Sequence, residues 1–299
     1  MGSLRDIALQ YPRFIPWRAL PGVARRRVDK LWKNDAYRTA QEKNMQFLLE
    51  FTDRVDEVPQ IAREYAEFDV LRKYRMWHPH QLSHQQVKGM EWLTTKRDHS
   101  RGVMLSFVHH GWYNAAVSSA GRACDDFAGV PKSERPGIVF NGVVAPEAFD
   151  PKAPVLLRQH FKVCAYGPNM TLMSATDGVP KMVEMLEKGD VLCVAFDVAG
   201  RTPIKFLGRD MLGSFGSARM AVQTNSPVVL VTSHKSENGE PWVQIHEPIE
   251  PQDFPDPADL LAEIIRRHEP AILAWPAAYD SPYSRLAEAK PAEAKSSEA

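Results

Sequence analysis

The chain has 299 residues, 37 basic and 37 acidic side chains, and 44% hydrophobic residues, a composition typical of soluble globular proteins. No stretch approaches the ~18 consecutive apolar residues of a membrane span, and no charged start followed by an apolar core marks a signal peptide, so we expect a cytoplasmic protein. The zero net charge gives no reason to expect a nucleic-acid partner.

Residues 1–33 form a basic amphipathic segment. Aromatic side chains such as Phe14 and Trp17 alternate with cations such as Arg13 and Arg18. In an interfacial anchor, rings enter the headgroup boundary while cations meet anionic lipid, so we expect this segment to bind an anionic membrane surface. The alternative is an N-terminal arm that packs on the domain and leaves its arginines in water.

Residues 34–100 show helical spacing and predict a helical region packed on the core. In LSHQQV, Ser83 has the character of an N-cap with a glutamine three residues on, which predicts the start of a further helix. His78, His80 and His84 lie close together in sequence, but the cap already explains this stretch. Because the three cysteines also form no paired motif, no metal site is expected.

From residue 101 to residue 280, short apolar runs alternate with helical segments. The predicted strands are 103–108, 136–140, 191–196, 227–233 and 242–246. The predicted helices are 112–128, 153–161, 175–188, 215–224 and 257–268. This alternation predicts an α/β core with a mixed, mainly parallel sheet flanked by helices. The small, polar and charged residues of 281–299 predict a disordered tail.

His109, in the stretch MLSFVHHGWYNAAVS, is the leading candidate for chemistry. It follows a buried-type strand and precedes a helix that Gly111 helps to open, a place where α/β sheets present side chains to ligands. A histidine there could take the proton of an attacking hydroxyl, because its ordinary pKa lies near neutral pH. The alternative is that His109 and His110 are structural and bind backbone groups at the strand end.

Such a base is normally oriented by an acid, and the position five residues on is Asn114. Its amide oxygen could still hold the imidazole ring of His109. Its nitrogen could equally donate to Nδ1 and fix the wrong tautomer, a fault that costs about ten-thousandfold in the Asp-to-Asn variant of a serine protease.

The block VHHGWYN resembles the H-x-G-x-W-[DE] block of the bacterial lipid A late acyltransferases and the phosphatidylinositol mannoside acyltransferases, within the wider H-x4-[DE] glycerolipid acyltransferase group. The run that begins LEKGDVLCVAFD matches in order at Asp197, Gly200, Arg201, Phe206, Gly208, Gly216 and Ala221. The resemblance covers about residues 35 to 280. It departs from the family at Asn114, at Tyr113 in place of tryptophan, and at AWPAAYDSP in place of a basic tryptophan-rich motif.

The resemblance implies an O-acyltransferase that moves a fatty acyl group from acyl-CoA or acyl carrier protein to a hydroxyl of a lipid or glycolipid. His109 would be the general base and Asn114 would occupy the position of its acid. Gly111, Asp197 and Arg201 would belong to the substrate site, where Arg201 could bind a phosphate of the acceptor or of coenzyme A. Asp197 could orient either Arg201 or His109.

Arg158 lies in a predicted helix beside two leucines, in PVLLRQHF, and could meet the headgroup of an acceptor. The ordinary interpretation, which we favour, is an exposed arginine that covers apolar surface.

No cofactor or metal is implied beyond the acyl thioester itself. The expected partners are the thioester donor, the lipid or glycolipid acceptor and an anionic membrane surface, with the protein peripheral on the cytoplasmic face. The alternative is a non-catalytic lipid-binding or scaffold protein derived from this fold, which Asn114 favours. The joint presence of His109, Gly111, Asp197 and Arg201 favours the enzyme. Hydrolysis of acyl thioesters is a third possibility.

Overall fold

The computed structural model describes residues 9–124 and 137–287. Its strands are β1 Gln86–Lys88, β2 Val103–Phe107, β3 Phe140–Val144, β4 Met170–Ser174, β5 Val191–Ala195, β6 Ala199–Phe206, β7 Arg209–Gly213, β8 Val228–Lys235 and β9 Pro241–Ile245. Seven of them form one sheet in the order β1-β9-β8-β2-β5-β3-β4, while β6 and β7 form a separate hairpin. Only β8 and β9 pair antiparallel in the large sheet, which confirms the predicted mixed, mainly parallel sheet.

The sheet is flanked by helices, and further helices precede it in the chain. In the described ranges these are α1 Leu20–Leu31, α2 Asp35–Leu49, α3 Val58–Arg75, α4 Pro79–Leu82, α5 Tyr113–Ala123, α6 Val155–Cys164, α7 Val179–Glu187, α8 Gly216–Gln223, α9 Pro257–Ala274 and α10 Pro282–Ala287. None of the helices in the part of the chain described combines the length and apolar character needed to cross a membrane.

The central strand β2 explains why the sheet has two apolar layers. Its sequence VMLSF is a nearly continuous apolar run, as expected for a parallel strand covered on both faces. Alternate side chains of a strand point to opposite faces. Met104 accordingly joins the core that includes α7, α8 and α9, whereas Leu105 joins the core that includes α5.

The N-terminal helical region is present as predicted. Helix α1 packs on α3 through a small apolar cluster that includes Val28 and Val70, so this part of the basic segment is a packed arm. Before it, Tyr11 and Phe14 are 62% and 69% exposed. These two rings are therefore the aromatic side chains of the segment that remain candidates for a membrane contact. Residues 1–8 lie outside the described ranges.

The predicted helix start at Ser83 is wrong. Helix α4 begins at Pro79, a residue suited to the first helical position, and ends at Leu82. Ser83 follows it as the C-cap, and its hydroxyl donates to the carbonyl of His80 over 3.1 Å. Gln86 then opens β1, which pairs parallel with β9. The region 34–100 thus supplies an edge strand as well as helices.

The predicted disordered tail is wrong at its beginning. Residues 282–287 form α10, and Leu286, only 4% exposed, packs into the main core. Residues 288–299 lie outside the described ranges, as do the ends of two predicted elements that reach into 125–136. Strand β3 begins at Phe140, the last residue of its predicted range 136–140, and ends at Val144. Strands β4, β6 and β7 were not predicted.

Candidate active site

His109 and Asp197 face each other at the carboxyl edge of the sheet. Strands β2 and β5 are parallel neighbours, and their last residues, Phe107 and Ala195, are directly paired. Each strand therefore carries a polar residue two positions beyond its end on the same edge. The Nδ1 atom of His109 lies 2.7 Å from Oδ1 of Asp197, and the backbone N–H of His109 donates to Oδ2 over 2.8 Å.

Asp197 is held as a buried carboxylate. Its side chain is 1% exposed, and its Oδ2 also accepts a hydrogen bond of 2.6 Å from the hydroxyl of Tyr279. Burial alone would raise the pKa of Asp197, but the adjacent His109 and the hydrogen bonds from His109 and Tyr279 hold that pKa well below its usual value. The carboxylate therefore stays ionised and orients the imidazole of His109 through Nδ1.

A large cavity of about 790 Å³ opens beside this pair. Its wall is mostly apolar and includes Val117, Leu156, Leu157, Phe161, Leu172 and Val194. His109 lines the cavity, and its Nε2 atom makes no hydrogen bond to the protein in the described ranges. The free lone pair of the imidazole is thus available to a hydroxyl that enters an apolar space of ligand size.

Asn114 contacts His160 rather than His109, although the motif spacing places it where the acid that orients His109 would lie. It lines the same cavity, but its Nδ2 atom lies 3.5 Å from Nδ1 of His160, a residue of α6. Its Oδ1 atom is buried and has no hydrogen-bond partner among the described residues. The carboxylate that contacts His109 is that of Asp197, which follows the neighbouring strand. The sequence had left open whether Asp197 contacts His109 or Arg201.

Tyr113 and Asp280 form a second buried polar group next to His109. The ring of Tyr113 contacts the imidazole of His109 with centroids 4.8 Å apart, and its hydroxyl donates to Asp280 over 2.9 Å. Asp280 is also paired with Arg72 and Arg285. Burial would raise the pKa of Asp280, but these two guanidinium groups hold it far below its usual value. All four residues line the cavity and make part of its wall polar.

Sequence reasoning missed Tyr279 and Asp280, which lie in AWPAAYDSP. This segment returns to the strand end, where the N–H of Asp280 donates to the carbonyl of His109 over 2.7 Å. The only signal in the sequence was that AWPAAYDSP differs from the basic tryptophan-rich motif of the family that the chain resembles. Nothing in the sequence indicated that it would supply hydrogen bonds to His109 and to Asp197.

Gly111 has a structural reason to be glycine. Its φ is +67°, and a Cβ at this position would lie 2.2 Å from Cβ of Ser233. Its N–H donates to the carbonyl of Ala278 over 2.9 Å, so that this donor is not free for a substrate. The predicted contact between Gly111 and substrate is therefore not what the geometry favours.

Arg201 and Arg158 are not brought to His109. Arg201 lies on the exposed face of β6, Arg158 lies on the exposed face of α6, and neither lines the cavity. Within residues 9–124 and 137–287, the lysine and arginine side chains that line it are those of Arg72, Lys73 and Arg285. For Arg158 the structure agrees with the ordinary interpretation of an exposed arginine.

Comparison with known proteins adds little. No family model matches the chain, and no curated protein matches it. Among solved structures, the chain is similar to the 1-acyl-sn-glycerophosphate (LPA) acyltransferase PlsC from Thermotoga maritima, at 16% sequence identity and a TM-score of 0.37, over 75% of this chain and 95% of that one. So distant a likeness carries no argument about activity, and the candidate site rests on its own geometry.

Proposed function

We propose that this protein transfers a fatty acyl group from an acyl thioester to a hydroxyl of a lipid or glycolipid, with His109 as general base and Asp197 as its orienting acid. The hydrogen bond between His109 and Asp197, at the wall of an apolar cavity of about 790 Å³, is the observation that carries this proposal.

In the proposed reaction, the Nδ1–H of His109 donates a hydrogen bond to the carboxylate of Asp197, which leaves the lone pair of Nε2 as the base. Nε2 takes the proton of the acceptor hydroxyl while that oxygen attacks the thioester carbonyl carbon. The tetrahedral intermediate then breaks its C–S bond, and the proton on Nε2 passes to the leaving thiolate. The carboxylate of Asp197 remains ionised throughout and stabilises the imidazolium form of His109.

The apolar and polar parts of the cavity wall suit the two parts of such a substrate. The apolar wall would hold the acyl chain, because moving each CH₂ group from water into an apolar site is favourable by about 0.8 kcal/mol. Arg72 and Arg285 would lie beside the polar groups of the donor or acceptor. Arg201 stays a proposed phosphate contact outside this cavity. The donor would be acyl-CoA or acyl carrier protein, and no cofactor is needed.

Asn114 was the feature that favoured a non-catalytic lipid-binding protein. The contact between Asp197 and His109 supports the enzyme instead, because Asp197 can orient the imidazole as the missing acid would. The test is transfer from labelled palmitoyl-CoA, and separately from palmitoyl acyl carrier protein, into a total polar lipid extract, with products separated by mass. A new acylated lipid is expected. Intact thioester with both donors would point to the binding protein, and free fatty acid as the main product would point to hydrolysis.

The membrane contact is proposed to lie at the exposed rings of Tyr11 and Phe14. Deleting residues 1–33 is a poor test, because it also removes the packed helix α1. The double variant Tyr11→Ser and Phe14→Ser leaves that core intact and should weaken flotation with anionic vesicles. Exposed Phe51→Ser in the loop after α2 is a matched control, since it is 55% exposed. Equal flotation of both variants with the wild-type protein would contradict the anchor.

A further inference from the structure

An acyl transfer at His109 needs a donor for the oxygen that becomes negatively charged in the tetrahedral intermediate. Two groups close to the base are already engaged: the hydroxyl of Tyr113 donates to Asp280, and the N–H of Gly111 donates to the carbonyl of Ala278. His160 is different. It lines the cavity, and its Nε2 atom makes no hydrogen bond to the protein in the described ranges.

His160 contacts the same aromatic ring as the base does. Its imidazole centroid lies 5.6 Å from that of Tyr113, whose ring also contacts His109. Both imidazoles therefore face the cavity within contact of one side chain. An acyl thioester carbonyl placed between them would have a base on the side of the attacking hydroxyl and an imidazole on the other.

The side-chain amide of Asn114 faces one nitrogen of the His160 imidazole. The amide nitrogen of Asn114 is the atom that faces Nδ1 of His160, at 3.5 Å. When an amide N–H donates to Nδ1, that nitrogen must present its lone pair, and the one proton of a neutral imidazole sits on Nε2. Burial, followed by the positive charge of Arg72, lowers the pKa of His160 to about 4 and keeps the ring neutral.

We propose that His160 is a catalytic residue that donates its Nε2–H to the thioester carbonyl oxygen, and that Asn114 is the positioning residue that holds it in this tautomer. The inference rests on the proposed acyl transfer. As the acceptor oxygen bonds to the carbonyl carbon, the π electrons move to the carbonyl oxygen, which the Nε2–H of His160 stabilises. When the C–S bond breaks, those electrons return, and His160 neither gains nor loses a proton.

This assignment explains why position 114 carries an amide. An aspartate there would accept from Nδ1–H of His160 and leave the lone pair of Nε2 toward the cavity, or would recruit a second proton to the ring. An asparagine keeps the ring neutral with its donor turned to the substrate. A neutral imidazole used as an electrophile has a precedent in the catalytic histidine of triosephosphate isomerase.

The test compares His160→Phe, which keeps a ring without a donor, with His160→Gln, which keeps an N–H. Removing one oxyanion donor is expected to lower kcat by about 10²–10³ with little change in the donor KM, and His160→Gln should recover at least about tenfold of that loss. His84→Phe, at an exposed histidine, is the matched control. A kcat for His160→Phe within about threefold of wild type would overturn the inference.

A second measurement does not depend on turnover, and its deciding outcome needs only the wild-type protein. Nitrogen NMR of ¹⁵N-histidine-labelled wild-type protein should show the Nε2–H tautomer for His160, and Asn114→Leu should mix the two tautomers. An Nδ1–H tautomer in the wild-type protein would overturn the inference. Absence of acyl transfer by the wild-type protein would instead contradict the proposed function, so the two failures are separate.

Discussion

Replacing Asp197 by Asn is the most informative single change, because the structure shows which way the new amide would turn. Oδ2 of Asp197 accepts from both the backbone N–H of His109 and the hydroxyl of Tyr279, whereas Oδ1 faces only Nδ1 of His109. The amide oxygen would take the Oδ2 position, since the backbone N–H cannot turn away. The NH₂ group would then face Nδ1 and donate to it.

That orientation places the proton of His109 on Nε2 and removes the base. The same fault in a serine protease triad lowers kcat by about ten-thousandfold. We therefore expect Asp197→Asn to lower kcat by about 10³–10⁴, equivalent to about 4–5.5 kcal/mol of transition-state stabilisation at 1.36 kcal/mol per factor of ten.

The assay is initial-rate transfer from palmitoyl-CoA with the acceptor found in the lipid extract. Asp210→Asn, at a side chain that is 80% exposed on β7, is the matched control and should leave kcat unchanged. The unfolding midpoint of each variant separates loss of catalysis from loss of the fold. A loss in kcat smaller than about tenfold for folded Asp197→Asn would refute the assignment of Asp197 as the orienting acid.

Three further outcomes are expected. Asn114→Asp should not raise kcat, because Asp197 already orients His109, and a rise above about threefold would contradict this account. Gly111→Ala should lower the free energy of unfolding by more than about 2 kcal/mol in a denaturant titration, because φ is +67° and the new Cβ meets neighbouring atoms; an unchanged midpoint would contradict it. Burial lowers the pKa values of His110 and His246 to about 4 and that of His268 to about 3. As the pH falls below about 6.5, these histidines take up protons in the unfolded chain before they do so in the folded protein. The free energy of unfolding should therefore fall toward pH 4, by up to about 1.4 kcal/mol per pH unit for each histidine. Equal urea midpoints at about pH 7.5 and about pH 5 would contradict this.

The fold class was predictable because apolar runs and helical periodicity alternate along the chain. The position of His109 was also predictable, since a polar residue directly after a buried strand lies at the carboxyl edge of a parallel sheet. The pairing of β2 with β5 is not local information. The sequence therefore did not indicate whether Asp197 contacts Arg201 or His109, and the register of β2 with β5 shows that it contacts His109.

Other parts of the site were beyond sequence reasoning for the same reason. Tyr279 and Asp280 lie about 170 residues after His109 and reach it only because α9 returns the chain to the sheet edge. Arg201 was assigned to the substrate site from the family resemblance, but its side chain is exposed on strand β6 of the β6–β7 hairpin. Motif spacing predicted that Asn114 contacts His109, whereas the packing of α5 on α6 brings Asn114 to His160.

The central claim is that His109 is the base of an acyl transfer, and a comparison of single-turnover rates for wild-type protein and His109→Ala tests it most directly. Both proteins are mixed in excess with labelled palmitoyl-CoA and the acceptor lipid, and circular dichroism confirms that the variant is folded. The account predicts that transfer by His109→Ala falls at least about a thousandfold, because no other described group replaces Nε2. Transfer by the folded variant within about tenfold of wild type would contradict it.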